Sequence, residues 1–400
     1  MDELANLCAA DSTDENSLVV ELTREFISIA AQSGDESKIA DFVEKRMKQL
    51  GFYDIARDRL GSVVGFVGPN TPTTALLFDS HMDVVAITGD WSVNPVGGEV
   101  RDGRLFGRGT TDMKGALAAS LCGVAAAART GPLERKVAVS ATVLEETAEG
   151  GALGEVLDRV RPEMTVICEP SSLSIKTGQR GRVEVIVDVI GVPAHAAHPE
   201  RGRNAIGLAA KAVEALAAMQ LKPDSQLGGM ILVPTDIKSD PYPLISALPI
   251  GVSIRFDRRI GTNDDKASVL QEIQMVLDAI DPVAFRVRAS NDPITTYTGQ
   301  TVRWERFLAA WNTGPATELA QAAAESLRSA GLEVRFGTYA FCTNGSESAG
   351  VRGIPTIGLG PGDESQAHIV DESVSILQLN QAVDVYRNLT LKIAGGKNAG

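Results

Sequence analysis

Leu77-Phe78-Asp79-Ser80-His81-Met82-Asp83 closes an apolar run that reads as a β-strand, then offers a histidine and an aspartate two residues apart. Two further segments supply ligand types in the same way. Gly107-Arg108-Gly109-Thr110-Thr111-Asp112-Met113-Lys114-Gly115 presents an aspartate, and Glu145-Glu146 follows the apolar stretch 136–143. The chain has only 4 histidines, so one beside an aspartate at a strand end is informative. A hydrolytic zinc site uses imidazole and carboxylate ligands and keeps one position open for water. The residue types and their order therefore point to a metal centre at the ends of strands.

Outward from this stretch, strands alternate with helices. Apolar residues recur at helical spacing over 16–31 and again over 36–50, where Gly51 is a C-cap. Short apolar runs at 63–67 and 74–79 precede a Gly- and Pro-rich loop over 85–109. Residues 114–129 are Ala-rich and helix-forming. Strands at 136–143 and 164–168 flank a helix at 151–160. This order predicts an α/β layer with a mainly parallel sheet, its functional residues at the carboxyl ends of the strands. Near Gly178 the pattern changes. Residues 182–190 alternate as a half-buried strand should, followed by a helix near 204–219, strands near 229–236 and 250–257, a helix near 264–279 and a strand near 284–290. That β-α-β-β-α-β order is the ferredoxin-like one. Beyond 293 the first character resumes, with helices near 315–330 and 372–393 around a strand near 355–359. The expected fold class is thus α/β, a mixed, mainly parallel sheet flanked by helices, formed by 1–180 and 293–400. A ferredoxin-like α+β domain, 181–292, is inserted into it.

Composition excludes other classes. Of 400 residues, 44% are hydrophobic and 22% charged, and the formal net charge is −13. With no basic stripe to offset that charge, neither nucleic acid nor an anionic membrane is an expected partner. Cys8, Cys122, Cys168 and Cys342 are dispersed without CxxC spacing, which argues against a disulfide framework or a cysteine zinc cluster. The acidic N-terminal stretch lacks the pattern of a signal peptide, and no apolar run is long enough to span a bilayer. The expected compartment is the cytoplasm.

Taken together, several motifs resemble one family. They are His81-Met82-Asp83, Trp91 with Pro95, residues 107–115, Glu145-Glu146, Cys168-Glu169-Pro170, and Gly191-Val192-Pro193-Ala194-His195 with Pro199. Asp257-Arg258-Arg259 and Gly360-Pro361-Gly362 with Ala367-His368 complete the set. From about residue 17 to 392 the chain is similar to the di-zinc deacylases and peptidases that include acetylornithine deacetylase, succinyl-diaminopimelate desuccinylase, carboxypeptidase G and aminoacylase. The combination sits nearer to an uncharacterised hydrolase subgroup than to the biosynthetic deacylases.

Carried over residue by residue, the resemblance implies His81 and Glu169 as ligands of one zinc and Glu146 and His368 as ligands of the other, with Asp112 bridging. Co2+ or Mn2+ are the alternative metals. Ions about 3.5–4 Å apart need a shared carboxylate and leave a bridging water as nucleophile. Asp83 is expected to hydrogen-bond the outer nitrogen of His81. Glu145 is implied as general base, which requires irregular backbone, because adjacent residues of a regular strand face opposite ways. The peptide after Asp112 is expected to be cis. His195, in the inserted domain, is implied as an oxyanion donor lent across a homodimer interface, whereas His198 reads as a surface histidine. Arg259, in preference to Arg258, matches the arginine that holds a substrate carboxylate. Asn344 is expected to line the pocket. One departure is Ser246, where the family often has asparagine.

The implied activity is hydrolysis of the amide of an N-acyl amino acid or related small amide. A dipeptidase or carboxypeptidase would use the same site. A non-catalytic metal-binding scaffold would have lost a ligand or Glu145, and neither is lost.

Overall fold

The computed structural model describes residue 14 and residues 16–396. The acidic N-terminal stretch and Cys8 lie outside the described residues. Among the described residues the first elements are α1 (Leu18–Ile27) and α2 (Ser37–Leu50), then β1 (Tyr53–Arg57), β2 (Val63–Val67) and β3 (Leu76–His81). The loop expected over 85–109 contains two short strands, β4 (Val100–Arg101) and β5 (Arg104–Phe106). Next come α3 (Lys114–Thr130), β6 (Val137–Thr142), the single turn α4 (Glu145–Ala148), α5 (Gly151–Val160), β7 (Thr165–Ile167) and β8 (Ile175–Gln179).

Periodicity explains these elements. In α2 the buried Ile39, Val43 and Met47 recur every fourth residue, and Gly51, at φ 93°, caps the helix through its N–H to Lys48 O. Every residue of β3 is buried, as a strand covered on both faces requires. The small side chains of α3 let it lie between the sheet and the C-terminal helix, with residues 114–127 buried.

A second unit starts one residue after β8. It comprises β9 (Gly181–Ile190), α6 (Ala205–Ala217), β10 (Leu232–Asp240), β11 (Gly251–Ile260), α7 (Lys266–Asp278) and β12 (Phe285–Ala289). These strands run in the order β10-β11-β9-β12, all pairs antiparallel, the ferredoxin-like arrangement. Val183, Val185, Val187 and Val189 alternate inward against Ala205, Ala209 and Ala212 of α6 and Val269 and Ile273 of α7, forming a separate core. Asn204 and Asp265 cap the two helices through their side chains.

The return to the larger unit is stepwise. The hairpin β13 (Ile294–Thr295) and β14 (Thr301–Val302) docks on the main core through Ile294, Tyr297 and Val302. β15 (Phe307–Leu308) then pairs with β9 in the smaller sheet, and β16 (Trp311–Asn312) with β8 in the larger. After α8 (Glu318–Ser329), β17 (Phe336–Tyr339) and β18 (Thr356–Gly358), the short β19 (Ser373–Ser375) joins β5, and α9 (Ile376–Ala394) ends the described chain.

Among the described residues the larger sheet has 9 strands, ordered β1-β2-β6-β3-β7-β18-β8-β16 with β17 beside β8. Its centre, β6-β3-β7-β18, is parallel, and antiparallel pairs flank it. The fold is therefore the α/β layer with an inserted α+β unit that the pattern predicts. The carboxyl ends of β3, β6 and β7 lie side by side, and there the candidate residues gather.

Candidate metal centre

Each candidate ligand sits at or near one end of a regular element. His81 is the last residue of β3, Glu169 lies just past β7, Asp112 precedes α3, and His368 precedes β19. The two glutamates follow β6, but not in strand conformation. Leu144 takes a left-handed φ of 61°, and Glu145 and Glu146 then open the turn α4. This is the irregular backbone that lets neighbouring glutamates address one site. The peptide between Asp112 and Met113 is cis.

The side chains converge on Asp112. His81 Nε2 lies 2.9 Å from Asp112 Oδ1, 3.6 Å from Glu169 Oε1 and 4.0 Å from Glu145 Oε2. From the other side, His368 Nε2 is 3.2 Å from Asp112 Oδ2 and 2.9 Å from Glu146 Oε2. One carboxylate oxygen of Asp112 thus faces each histidine. His81, Asp112 and Glu169 form one group, and Asp112, Glu146 and His368 another. Within each, the ligand atoms all lie within 4.8 Å of one another.

The electrostatics of this cluster are those of crowded acids. Burial, reinforced by neighbouring carboxylates, raises the Glu145 and Glu169 pKa values well above the ordinary range. Glu146 is pushed up to about 7 by burial and by Asp112. Burial opposes charge on Asp112 too, but hydrogen bonds from His368 and His81 hold its carboxyl far below the usual range. Hydrogen bonds to Asp112 and Glu146 lift His368 to about 10. Glu145 Oε1 and Glu146 Oε1 are buried with no hydrogen-bond partner among the described residues. Two divalent cations fit this arrangement. They would offset the mutual repulsion of the acids, and imidazole and carboxylate donors together suit a divalent transition metal.

Asp83 does its work differently from expectation. Its backbone carbonyl, not its carboxylate, lies 2.9 Å from His81 Nδ1, and the nearer carboxylate oxygen is 3.6 Å away. That contact still orients the ring with Nε2 toward the acids. The carboxylate instead accepts the N–H groups of Glu145 at 3.2 Å and Glu146 at 3.1 Å, and the Ser33 hydroxyl at 2.7 Å. The free N–H groups at the start of α4 are strong competitors for an acceptor. Beside them, Glu36 Oε1 accepts the Leu144 N–H at 3.1 Å. The sequence reading missed Ser33 and Glu36, because each meets its partner only through the fold.

Asn344 also departs from its expected place. It is buried, donating to Asp79 Oδ2 at 2.8 Å and Thr142 Oγ1 at 3.0 Å and accepting from Gly150 N at 2.7 Å. With both ends of its amide engaged inside the protein, it braces the strand ends under the site and does not face a substrate. Arg258 points to the helical side of its sheet, where it is buried near Glu272. Arg259 takes the opposite face and is held by Asp257 at 2.8 Å, near Cys342 Sγ at 3.8 Å. On that face Arg182 pairs with Glu149 at 3.1 Å, immediately after α4. His195 is exposed, bridged to Ala247, with Nδ1 accepting from Ala197 N at 3.0 Å. It is not among the residues that converge on the two groups. His198 is exposed, and the Ser246 carbonyl supports the same loop through Ala196 N. Cys122, Cys168 and Cys342 are free and buried.

Paired histidine–carboxylate groups sharing one aspartate, at the strand ends of an α/β sheet, are a donor set suited to two metal ions. Residues 77–392 match peptidase family M20/M25/M40, and the chain belongs to that family. It is accordingly a hydrolase acting on amide or peptide bonds. The protein YgeY of Escherichia coli, described only as uncharacterised, is 31% identical over 363 residues, covering 87% of this chain and 88% of that one. A succinyl-diaminopimelate desuccinylase of Dechloromonas aromatica is 30% identical over 284 residues, covering 65% of this chain and 72% of its own. Among solved structures, aminopeptidase PepT of Bacillus cereus superposes with a TM-score of 0.71 at 18% identity, over 94% of this chain and 98% of that one. A metallo-carboxypeptidase of Sulfolobus solfataricus gives 0.72 at 15% identity, with coverage of 94% and 98%. These two share the fold. Among the described residues no helix is long and apolar enough to cross a membrane.

Proposed function

We propose that the protein is a di-zinc hydrolase that cleaves the amide bond of an N-acyl amino acid or a related small amide. The observation that carries this reading is the division of Asp112, one carboxylate oxygen to His81 and the other to His368. His81 and Glu169 would hold one ion, Glu146 and His368 the other, and Asp112 both. When bound, such ions polarise a carbonyl and make water more acidic. The chain's own residues do the rest. Glu145, buried with one oxygen unengaged, accepts the proton of the attacking water and returns it to the leaving nitrogen as the C–N bond breaks. Asp83 fixes the turn from which Glu145 projects. Arg259 would receive the carboxylate of the substrate by exchanging its contact with Asp257.

The inserted domain would act as lid and as dimer interface. Support comes from the exposure of His195 and from the open edge of β10, where Val233 and Ile237 are exposed. In a homodimer, the histidine of one subunit would stabilise the oxyanion in the site of the other.

The test is a panel of N-acyl amino acids and dipeptides offered to zinc- or cobalt-loaded protein, with release of free amine as readout. Preferential cleavage of N-acyl amino acids is expected. Dipeptides alone would make the chain a peptidase of the same mechanism, and no turnover by protein carrying two ions would sink the proposal.

A further inference from the structure

We infer that Glu372 is a positioning residue that preorganises Asp112 and ties it to His368, so that the two ions are held together. The inference rests on the two-metal reading of the site. Glu372 is fully buried. Its Oε1 accepts three backbone N–H groups, from Gly109 at 3.0 Å, Thr111 at 2.9 Å and Asp112 at 3.1 Å. Its Oε2 accepts from Arg108 Nη1 at 2.7 Å. The loop 107–112 is thereby wrapped around one carboxylate, as a nest of amides wraps an anion. Two more contacts fasten the same strip of chain. Gly107 N donates to the Glu372 carbonyl at 2.9 Å, and Thr111 Oγ1 donates to Ser373 O at 2.9 Å.

The consequence follows from where His368 sits. It belongs to the same short segment as Glu372, just before β19 pairs with β5. One buried carboxylate therefore fixes the aspartate common to both groups against a histidine found in only one of them. A bridging ligand must satisfy two geometries at once, so slack in its loop loosens the ion that also depends on His368. The bland alternative is a buried ion pair that serves the fold and leaves metal binding untouched.

Variants of the full chain separate the two. Glu372→Ala removes the acceptor, and Glu372→Asp withdraws the carboxylate by one methylene. Glu372→Gln keeps an oxygen that can accept the same N–H groups. Zinc affinities would be measured by competition with a chromophoric chelator, folding by circular dichroism, and ligand geometry by the absorption bands of the cobalt form. The alanine and aspartate variants should remain folded, lose about 10–100-fold in affinity for one ion, and show altered cobalt bands. The glutamine variant should stay nearer to the parent in both affinity and spectrum. Parental affinities and bands in the alanine and aspartate variants would overturn the inference, as would a glutamine variant as impaired as alanine. Failure of both shortened variants to fold would assign Glu372 to the fold alone and overturn it as well. A parent protein that binds fewer than two ions would overturn the two-metal reading itself, an outcome that this control keeps separate.

Discussion

At the scale of single residues, Glu145 admits the least change. Glu145→Gln keeps the shape and the Asp83 contact to its N–H but cannot take a proton from water. Turnover should fall by about 10²–10⁴-fold with two ions still bound, checked by kcat beside metal content. Activity at the parental level would remove Glu145 from the role of base. Glu36 makes a second, pH-dependent prediction. Burial, then the charge of Asp83, pushes its pKa up to about 7 from 4.5. The folded state therefore holds a proton that the unfolded state releases between those values. Stability contributed by this group is present at low pH and lost as pH rises through 7. Glu36→Gln keeps the acceptor for Leu144 N–H without the charge. In the metal-free protein it should be near neutral at pH 5 and stabilising by about 1–3 kcal/mol at pH 8. Urea unfolding at the two values checks this, and an equal gain at both would contradict it. The types and order of His81, Asp112 and the Glu145-Glu146 pair pointed to a metal centre, because few side chains can hold a metal ion, whereas the full set of candidate ligands came from the family resemblance. Asp83, Asn344, Glu36 and Glu372 were misread or unseen because hydrogen bonding to distant backbone leaves no local mark in a sequence.

At the scale of elements, the α3–α9 contact is the tightest test of packing. A Cβ at Gly123 would lie 2.8 Å from both Val383 O and Tyr386 Cβ, and backbone cannot yield as a flexible side chain can. Gly123→Ala should therefore destabilise the protein by about 1–3 kcal/mol despite its better helix propensity. Urea unfolding measures it, and an unchanged midpoint would mean that the helices can part freely. The helices and the buried central strands were readable because burial imposes a period on them. β8, with the sequence Ile175-Lys176-Thr177-Gly178-Gln179, shows none. Its place is set by β18, β16 and β17, which come more than a hundred residues later. The short β4, β5 and β19 were lost in the same way, since two or three residues carry no periodicity.

At the scale of the whole molecule, the open edge of the smaller sheet and the exposed His195 make subunit exchange the decisive experiment. Mixing inactive Glu145→Gln protein with inactive His195→Ala protein should restore part of the activity. Each heterodimer would unite an intact base with an intact histidine in one of its sites. No recovery despite proven exchange would mean that His195 acts within its own chain or not at all. Ile237→Lys, which puts charge on the edge of β10, should shift the protein toward monomer in sedimentation and lower its rate. The route of the chain between the two sheets has a separate consequence. It leaves the larger sheet between Gln179 and Gly181 and returns between Leu308 and Trp311. Arg182 faces Leu308 on one side of the passage, and Gln179 faces Trp311 on the other. Exit and entry thus share one doorway, across which a two-residue hairpin turn suffices to rejoin an antiparallel pair. A gene could acquire or shed the segment between as a cassette without re-threading the larger sheet, giving up the hairpin over 294–302 and Trp304, which reach back to the main core, and the Arg182–Glu149 pair.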